Sequence, residues 1–272
     1  MQLERNEIHL WQIDQNSFSL QELESVCLAW LTDNERQKLQ RYQFDEHRKQ
    51  LLSARFLLRN VLSKYQTEIS PGRWQFSSNE YGKPEISAAQ QRNNLFFNLS
   101  HSGDKVVMAL AKQPDVGVDI EYSGKSRRVK KIASRYFSSI ETSSLLALPK
   151  TQWLDRFYDL WTLKEAYIKA CGMGLAIPLG DFSYSIEEER LGIDFAESRD
   201  DNADSWQFWQ LDAGDDYKLS LALNSAVSDD AIEKLEFREL SRPDSSSGSM
   251  PKSESELLVR QLDPRVLRSK IR

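Results

Sequence analysis

Two helix-length runs, each followed by a train of short strand-like segments, limit the fold of this 272-residue chain more than any other feature. Between about Thr32 and Tyr65, Leu39, Tyr42, Leu51, Leu52, Phe56, Leu58, Val61 and Leu62 recur at helical spacing. A strand, "EIHLWQID" (7–14), precedes that run, and "RWQF" (73–76), "LFFNLS" (95–100), "KVVMALAK" (105–112) and "VGVDIEY" (116–122) follow it as strands, with "HSGD" (101–104) as a turn. The second half begins with the basic amphipathic helix "SRRVKKIASRYF" (126–137), and Ser138 with Glu141 forms a capping box that opens another helix. A helix over 152–171 then stops at Gly172 and Gly174, with Pro178 beyond. The segments "FSYSIE" (182–187), "SWQFWQLD" (205–212), "YKLSLALN" (217–224) and "KLEFREL" (234–240) read as strands, antiparallel because their connections are short.

Helices followed by strands, twice over, predict an α+β fold of two similar lobes, 1–113 and 114–240, although no residue-level repeat marks them. A ligand between the lobes is the natural expectation. From 241 to 256 the composition collapses to Ser, Pro, Gly, Asp and Lys, so 241–272 is expected to be a flexible segment and basic tail. A fold already doubled within one chain points to a monomer.

Composition removes several function classes. No apolar run reaches membrane-spanning length, and the start "MQLERNEIHLWQID" lacks a signal-peptide core, so a cytoplasmic protein without membrane contact is expected. Cys27 and Cys171 are too few for a disulfide framework, and with only three histidines a structural zinc site is not expected. A net charge of −5 argues against nucleic acid. Basic residues nevertheless gather at 35–59 and in "GKSRRVKK" (124–131), which suits a phosphorylated ligand or an acidic protein partner.

Three stretches carry candidate chemistry. In "GVDIE" (117–121), strand alternation puts Asp119 and Glu121 on one face, where their repulsion would be relieved by a hard cation such as Mg²⁺. The plain alternative is two acids on an exposed edge strand. In "FYDLWTLKEAYIKACGMG" (157–174), Glu165 lies at the edge of the apolar stripe formed by Phe157, Leu160, Trp161, Ile168 and Cys171. Pairing with Lys169 at i+4 would explain an exposed Glu165 at about 0.2–0.5 kcal/mol. Lys164 sits inside the stripe and must snorkel or meet an anion. In "FNLSHSGD" (97–104), Ser100, His101 and Ser102 at a strand end could cradle a phosphate, or simply form a polar hairpin. "SGKS" (123–126) is not a P-loop, because Asp119 stands where the first glycine belongs, and no G-x-S-x-G occurs.

In order, Gly82-Lys83-Pro84, "FNLSHSG" (97–103), "GVDIE" (117–121) and "WTLKEAYIK" (161–169) resemble the four signatures of the Sfp-type phosphopantetheinyl transferases. These are G-K-P, F-N-x-S-H-S-G, G-x-D-x-E and W-x-x-K-E-A-x-x-K. The resemblance implies a pseudo-two-fold pair of α+β lobes with coenzyme A between them. It implies an enzyme of holo-[acyl-carrier-protein] synthase type that moves 4′-phosphopantetheine onto a serine of an acyl or peptidyl carrier protein and releases adenosine 3′,5′-bisphosphate. By matching positions, Asp119, Glu121 and Glu165 would hold Mg²⁺. Glu165 would serve as base, Lys169 would contact phosphate, and Lys83, Pro84, Ser100, His101 and Lys164 would bind coenzyme A. Gln50 stands where many relatives carry arginine, leaving Arg48 or Lys49 to bind the coenzyme phosphates. Against this stand a metal-dependent nuclease, disfavoured by the negative charge, and a catalytically silent carrier-binding module.

Overall fold

The computed structural model describes residues 1–187, 190–214, 216–225, 232, 234–240 and 259–260. The expected flexible segment and tail, 241–272, otherwise lies outside the described residues. In chain order the first part holds β1 (Glu7–Asp14), α1 (Leu20–Cys27), α2 (Asp33–Arg41), α3 (Asp45–Tyr65), β2 (Phe76–Ser78), β3 (Pro84–Ile86), β4 (Phe96–Ser102) and β5 (Lys105–Ala111). The second part holds β6 (Val116–Tyr122), α4 (Val129–Tyr136), α5 (Ser139–Ala147), α6 (Trp153–Cys171), β7 (Phe182–Glu187), β8 (Arg190–Phe195), β9 (Trp206–Asp212), β10 (Tyr217–Asn224), β11 (Lys234–Glu239) and β12 (Val259–Arg260). Among the described residues no helix is long and apolar enough to cross a membrane.

Four layers result. One sheet runs β12-β11-β1-β5-β4, a second runs β6-β10-β9, and β2-β3 and β7-β8 are separate hairpins. Leu52, Leu57, Leu58, Val61 and Leu62 of α3 pack on Trp11, Ile13, Val106, Met108 and Leu110 of the first sheet. The opposite face of that sheet, through Ile8, Leu10, Val107 and Ala109, meets Val116, Val118, Ile120, Leu219 and Leu221 of the second. Leu163, Ala166, Tyr167 and Ala170 of α6 cover the far face of the second sheet with Phe208 and Ala222. β1 and β5 are therefore buried on both faces; β5 reads as a continuous apolar run, while β1 buries His9 and Gln12 among its apolar residues.

Some expectations change. The Thr32–Tyr65 run is two helices, because Tyr42 and Phe44 take extended backbone angles between them. α1, opened by a Ser19–Glu22 capping box, and β8 had no counterpart in the sequence reading. The strand placed at 73–76 begins only at Phe76. β11, expected in the second lobe, joins the first sheet and runs parallel to β1 with His9 opposite Glu236. It is seated between β1 and β12 and does not pair with β10, the strand before it, so its place after β10 did not imply antiparallel pairing with that strand.

Candidate active site

The site lies where β4 of the first sheet meets β6 of the second. The two strands belong to different sheets, and side chains bridge them. Asn98 Oδ1 accepts the Val118 N–H at 3.0 Å, Ser100 Oγ that of Ile120 at 3.3 Å, and Ser102 Oγ that of Tyr122 at 3.0 Å. Alternation along β4 puts these three residues on one face, so they satisfy alternate amides along the edge of β6. The two hydroxyls also donate: Ser100 Oγ to Asp119 Oδ1 at 2.8 Å and Ser102 Oγ to Glu121 Oε2 at 2.9 Å. Each serine thus fixes one amide and the carboxylate one residue before it.

α6 supplies the third acid. β6 lies almost flat against it, since a Cβ on Gly117 would fall 2.0 Å from Ala166 O and 2.4 Å from Ala170 N. Only glycine fits, and the close approach carries Lys169 to β4 and β6. Lys169 Nζ donates to Asp119 Oδ1 at 2.6 Å and to Ser100 Oγ at 2.9 Å. Asp119 is buried, which rules out the exposed edge-strand reading, and its Oδ2 has no hydrogen-bond partner among the described residues.

Burial first, then the charges of Asp119 and Glu121, pushes the Glu165 carboxyl up to about 7, with Lys169 opposing. Glu121 is also raised, by burial and then by Asp119, with Ser102 and Arg127 opposing. Repulsion among acids that burial already disfavours is relieved by bound positive charge. The orphaned Asp119 oxygen and the all-oxygen donor set fit Mg²⁺. The three acids are not drawn into a tight cage. Among the described residues, the group of three ligand types whose atoms all lie within 4.8 Å of one another is Glu7, His9 and Glu236. A cation at Asp119, Glu121 and Glu165 would therefore also need ligand or water oxygens, as Mg²⁺ usually does.

The remaining sequence candidates divide. Ser100 sits in the cluster, and His101, next to it on β4, is exposed overall while its imidazole is partly shielded by its neighbours. Desolvation and then the Lys169 ammonium lower the His101 pKa, Lys38 of α2 adding to the effect. Arg48 pairs with Glu24 and Asp45 and lines a separate groove of about 600 Å³ with Arg36, Leu39, Gln40 and Tyr42. Lys83 is not brought to the acids. Its ammonium donates to Ala170 O at 2.9 Å and also to Pro114 O and Val116 O, holding the C-terminal end of α6 against the start of β6. Pro84 opens β3 beside it, half-buried. Lys164 is the clear correction. It is fully buried and binds Glu141 Oε2 at 2.8 Å, Leu179 O at 2.7 Å and Phe182 O at 2.7 Å, so none of its three protons is left for a coenzyme.

Sequence reasoning gave no role to Asn98, counted Arg127 only within the basic patch 124–131, and took Ser102 for a phosphate cradle. Period-two spacing of Asn98, Ser100 and Ser102 was the available signal. Arg127, bonded to Tyr158 Oη at 3.1 Å, acts on Glu121 from α4's approach and had no local signature.

A buried aspartate and two half-buried glutamates around one lysine, at the joint of two sheet layers, have the chemistry that an oxygen-bound cation and a phosphorylated ligand would need. Two adjoining family models match this chain. They are described as the 4′-phosphopantetheinyl transferase superfamily, over 115–222, and as 4′-phosphopantetheinyl transferase, N-terminal, over 17–113. The chain belongs to the 4′-phosphopantetheinyl transferase superfamily. It is 37% identical over 181 residues to the 4′-phosphopantetheinyl transferase Sfp of Bacillus subtilis, covering 65% of this chain and 77% of that one. It is 35% identical over 173 residues to the 4′-phosphopantetheinyl transferase HetI of Nostoc sp., covering 63% and 71%. A more distant relative, at 28% identity over 212 residues, is the L-aminoadipate-semialdehyde dehydrogenase-phosphopantetheinyl transferase of Xenopus laevis, with 73% and 70% covered.

Proposed function

We propose that this protein transfers 4′-phosphopantetheine from coenzyme A to a serine of an acyl or peptidyl carrier protein, with Mg²⁺, releasing adenosine 3′,5′-bisphosphate. Named by its product, it is a holo-[acyl-carrier-protein] synthase. The observation that carries the reading is the buried Asp119 with one oxygen unsatisfied, grouped with Glu121, Glu165 and Lys169 in a chain of this family. We place it in the cytoplasm as a monomer, with coenzyme A between lobes 1–113 and 114–240 and no nucleic acid or membrane as partner.

Asp119, Glu121 and Glu165 would hold the cation, which when bound neutralises pyrophosphate charge. The carrier serine attacks the β-phosphorus, that of the phosphopantetheine phosphate. The P–O bond to the bridging pyrophosphate oxygen breaks, and adenosine 3′,5′-bisphosphate leaves with that oxygen. Glu165 accepts the serine proton. Burial, the first cause of its raised carboxyl, makes Glu165 a stronger base than an ordinary glutamate, while a bound cation would offset the part of the rise that comes from Asp119 and Glu121. Lys169, already at the cluster, offsets charge on the transferring phosphate, and neutral His101 with Lys38 lies beside the same edge. Asp119 is held by Ser100 and Glu121 by Ser102, so neither acid has to be reoriented during the reaction.

For the partner, Arg127, Arg128, Lys130, Lys131 and Lys150 line an open groove with Trp153 and Leu154, suited to an acidic helix presented by the carrier. Intact-mass spectrometry of apo carrier proteins, incubated with this protein, coenzyme A and Mg²⁺, tests the reading. A phosphopantetheine mass gain that requires Mg²⁺ and fails with Glu165→Gln is expected. Absence of both coenzyme A binding and mass gain would overturn it.

A further inference from the structure

The ion pair between Lys164 and Glu141 lies outside the acid cluster, yet Lys164 is the residue directly before Glu165 in α6. Both side chains are fully buried, and every polar atom of the pair is used. Lys164 spends its three protons on Glu141 Oε2, Leu179 O and Phe182 O. Glu141 Oε2 also accepts from the Ser138 N–H and Oγ at 3.1 Å each, and its Oε1 accepts the Tyr184 N–H at 2.8 Å. The Phe182 ring lies 4.2 Å from the ammonium. One side chain of α6 is thereby tied to the start of α5, to the turn before β7 and to β7 itself.

A buried ion pair is a poor source of stability, since apolar residues of the same volume often serve equally well or better. It provides direction, which an apolar contact does not, because its bonds hold at one angle only. We propose that Glu141 and Lys164 are positioning residues that set the rotation of α6 about its axis and thereby aim Glu165 at Asp119. The inference rests on the reading above that Glu165 carries the chemistry. The lever is long. A carboxylate on the surface of a helix lies about 5–6 Å from the axis, so a rotation of about 10° moves it by about 1 Å. A misplacement of about 1 Å can cost roughly a hundredfold in rate. On the other flank Gly117 fixes how closely β6 approaches α6, and the ion pair supplies the matching stop.

The test uses the full chain with Glu141→Gln and Lys164→Met combined, which removes both charges and keeps the volume. Transfer kinetics should show kcat lowered at least tenfold, with KM for coenzyme A and for the carrier within twofold of wild type. Independently of activity, 5-fluorotryptophan labelling reports the rotation. The ¹⁹F resonance of Trp161, assigned with Trp161→Phe, should move or broaden because Trp161 rides on α6 against Tyr136 and Phe137, which lie outside that helix. That of Trp11, in the other core, should stay. If the double variant does not fold, Glu141→Gln alone is read by the same two measurements. A folded variant with unchanged kcat and unchanged Trp161 resonance overturns the proposal. So does a failure of both variants to fold, which would leave the pair a purely structural tie. Should wild type transfer nothing to any carrier, the functional reading falls while the ¹⁹F comparison still decides the positioning role.

Discussion

Lys164 and Lys169 stand on one helix, and each meets a carboxylate at hydrogen-bond distance, yet the two pairs have opposite fates. Lys164 and Glu141 are both 0% exposed, and protein donors and acceptors satisfy every polar atom. Lys169 is 28% exposed, and its partner Asp119, 6% exposed, keeps one oxygen without a partner while two further acids crowd it. The closed pair is finished by folding. The open one is incomplete until something else arrives, and unfinished polar groups of that kind are what a binding site is made of.

The largest expected effect is on the open side. Glu165→Gln should slow transfer about 10²- to 10⁴-fold, the usual worth of a positioned base, with a near-native circular dichroism spectrum. A smaller loss would move the base elsewhere. Next, stability should separate the two lysines. Lys164→Met leaves Glu141 buried without its cation and should cost about 3–5 kcal/mol in urea unfolding. Lys169→Met, at a half-open pair, should cost about 1 kcal/mol. Equal costs would erase the distinction.

The third effect depends on pH. The Glu165 carboxyl is raised to about 7 in the fold from an ordinary 4.5, so its contribution favours the fold below pH 4.5 and is lost as pH rises through 7. Without divalent cation, Glu165→Gln should therefore be more stable than wild type at pH 8, by about 1–2 kcal/mol after allowing for partial exposure. The two should converge toward pH 4.5. Thermal melts across that range measure it, and a pH-independent difference would mean that neither burial nor the neighbouring acids raise the Glu165 carboxyl. The smallest effect concerns the basic groove. Lys130→Glu with Lys131→Glu should slow carrier association several-fold at low salt and hardly at all at high salt. A salt-independent change would remove steering from the account.

The sequence made one side of this comparison readable and hid the other. Alternation alone put Asp119 and Glu121 on one face, and Gly172, left-handed in the structure, ended α6 where its position suggested. Glu141 was legible only as half of a capping box, a role it fills with Oε2. Its second role, taking the Lys164 ammonium 23 residues on, depends on how α5 and α6 pack, and local spacing carries no trace of that. The surroundings of Lys83 were hidden for a related reason. Its motif is real, but the carbonyls it binds belong to Pro114, Val116 and Ala170. The parallel seating of β11 on β1 likewise joins residues more than two hundred positions apart.

The side-chain seam between β4 and β6 has a consequence for fidelity of assembly. Each serine of β4 recognises an amide on β6 and the acid just before it, so the joint reads its partner strand two residues at a time. A slip by one residue would present Val118 and Ile120 to the hydroxyls and turn Asp119 and Glu121 toward the apolar layer between the sheets. The misregistered state would bury two carboxylates among hydrocarbons and leave hydroxyl groups facing methyls. The same contacts that aim the acids therefore proofread the docking of the two halves, and a chain that has closed this joint correctly has already set its chemistry in place.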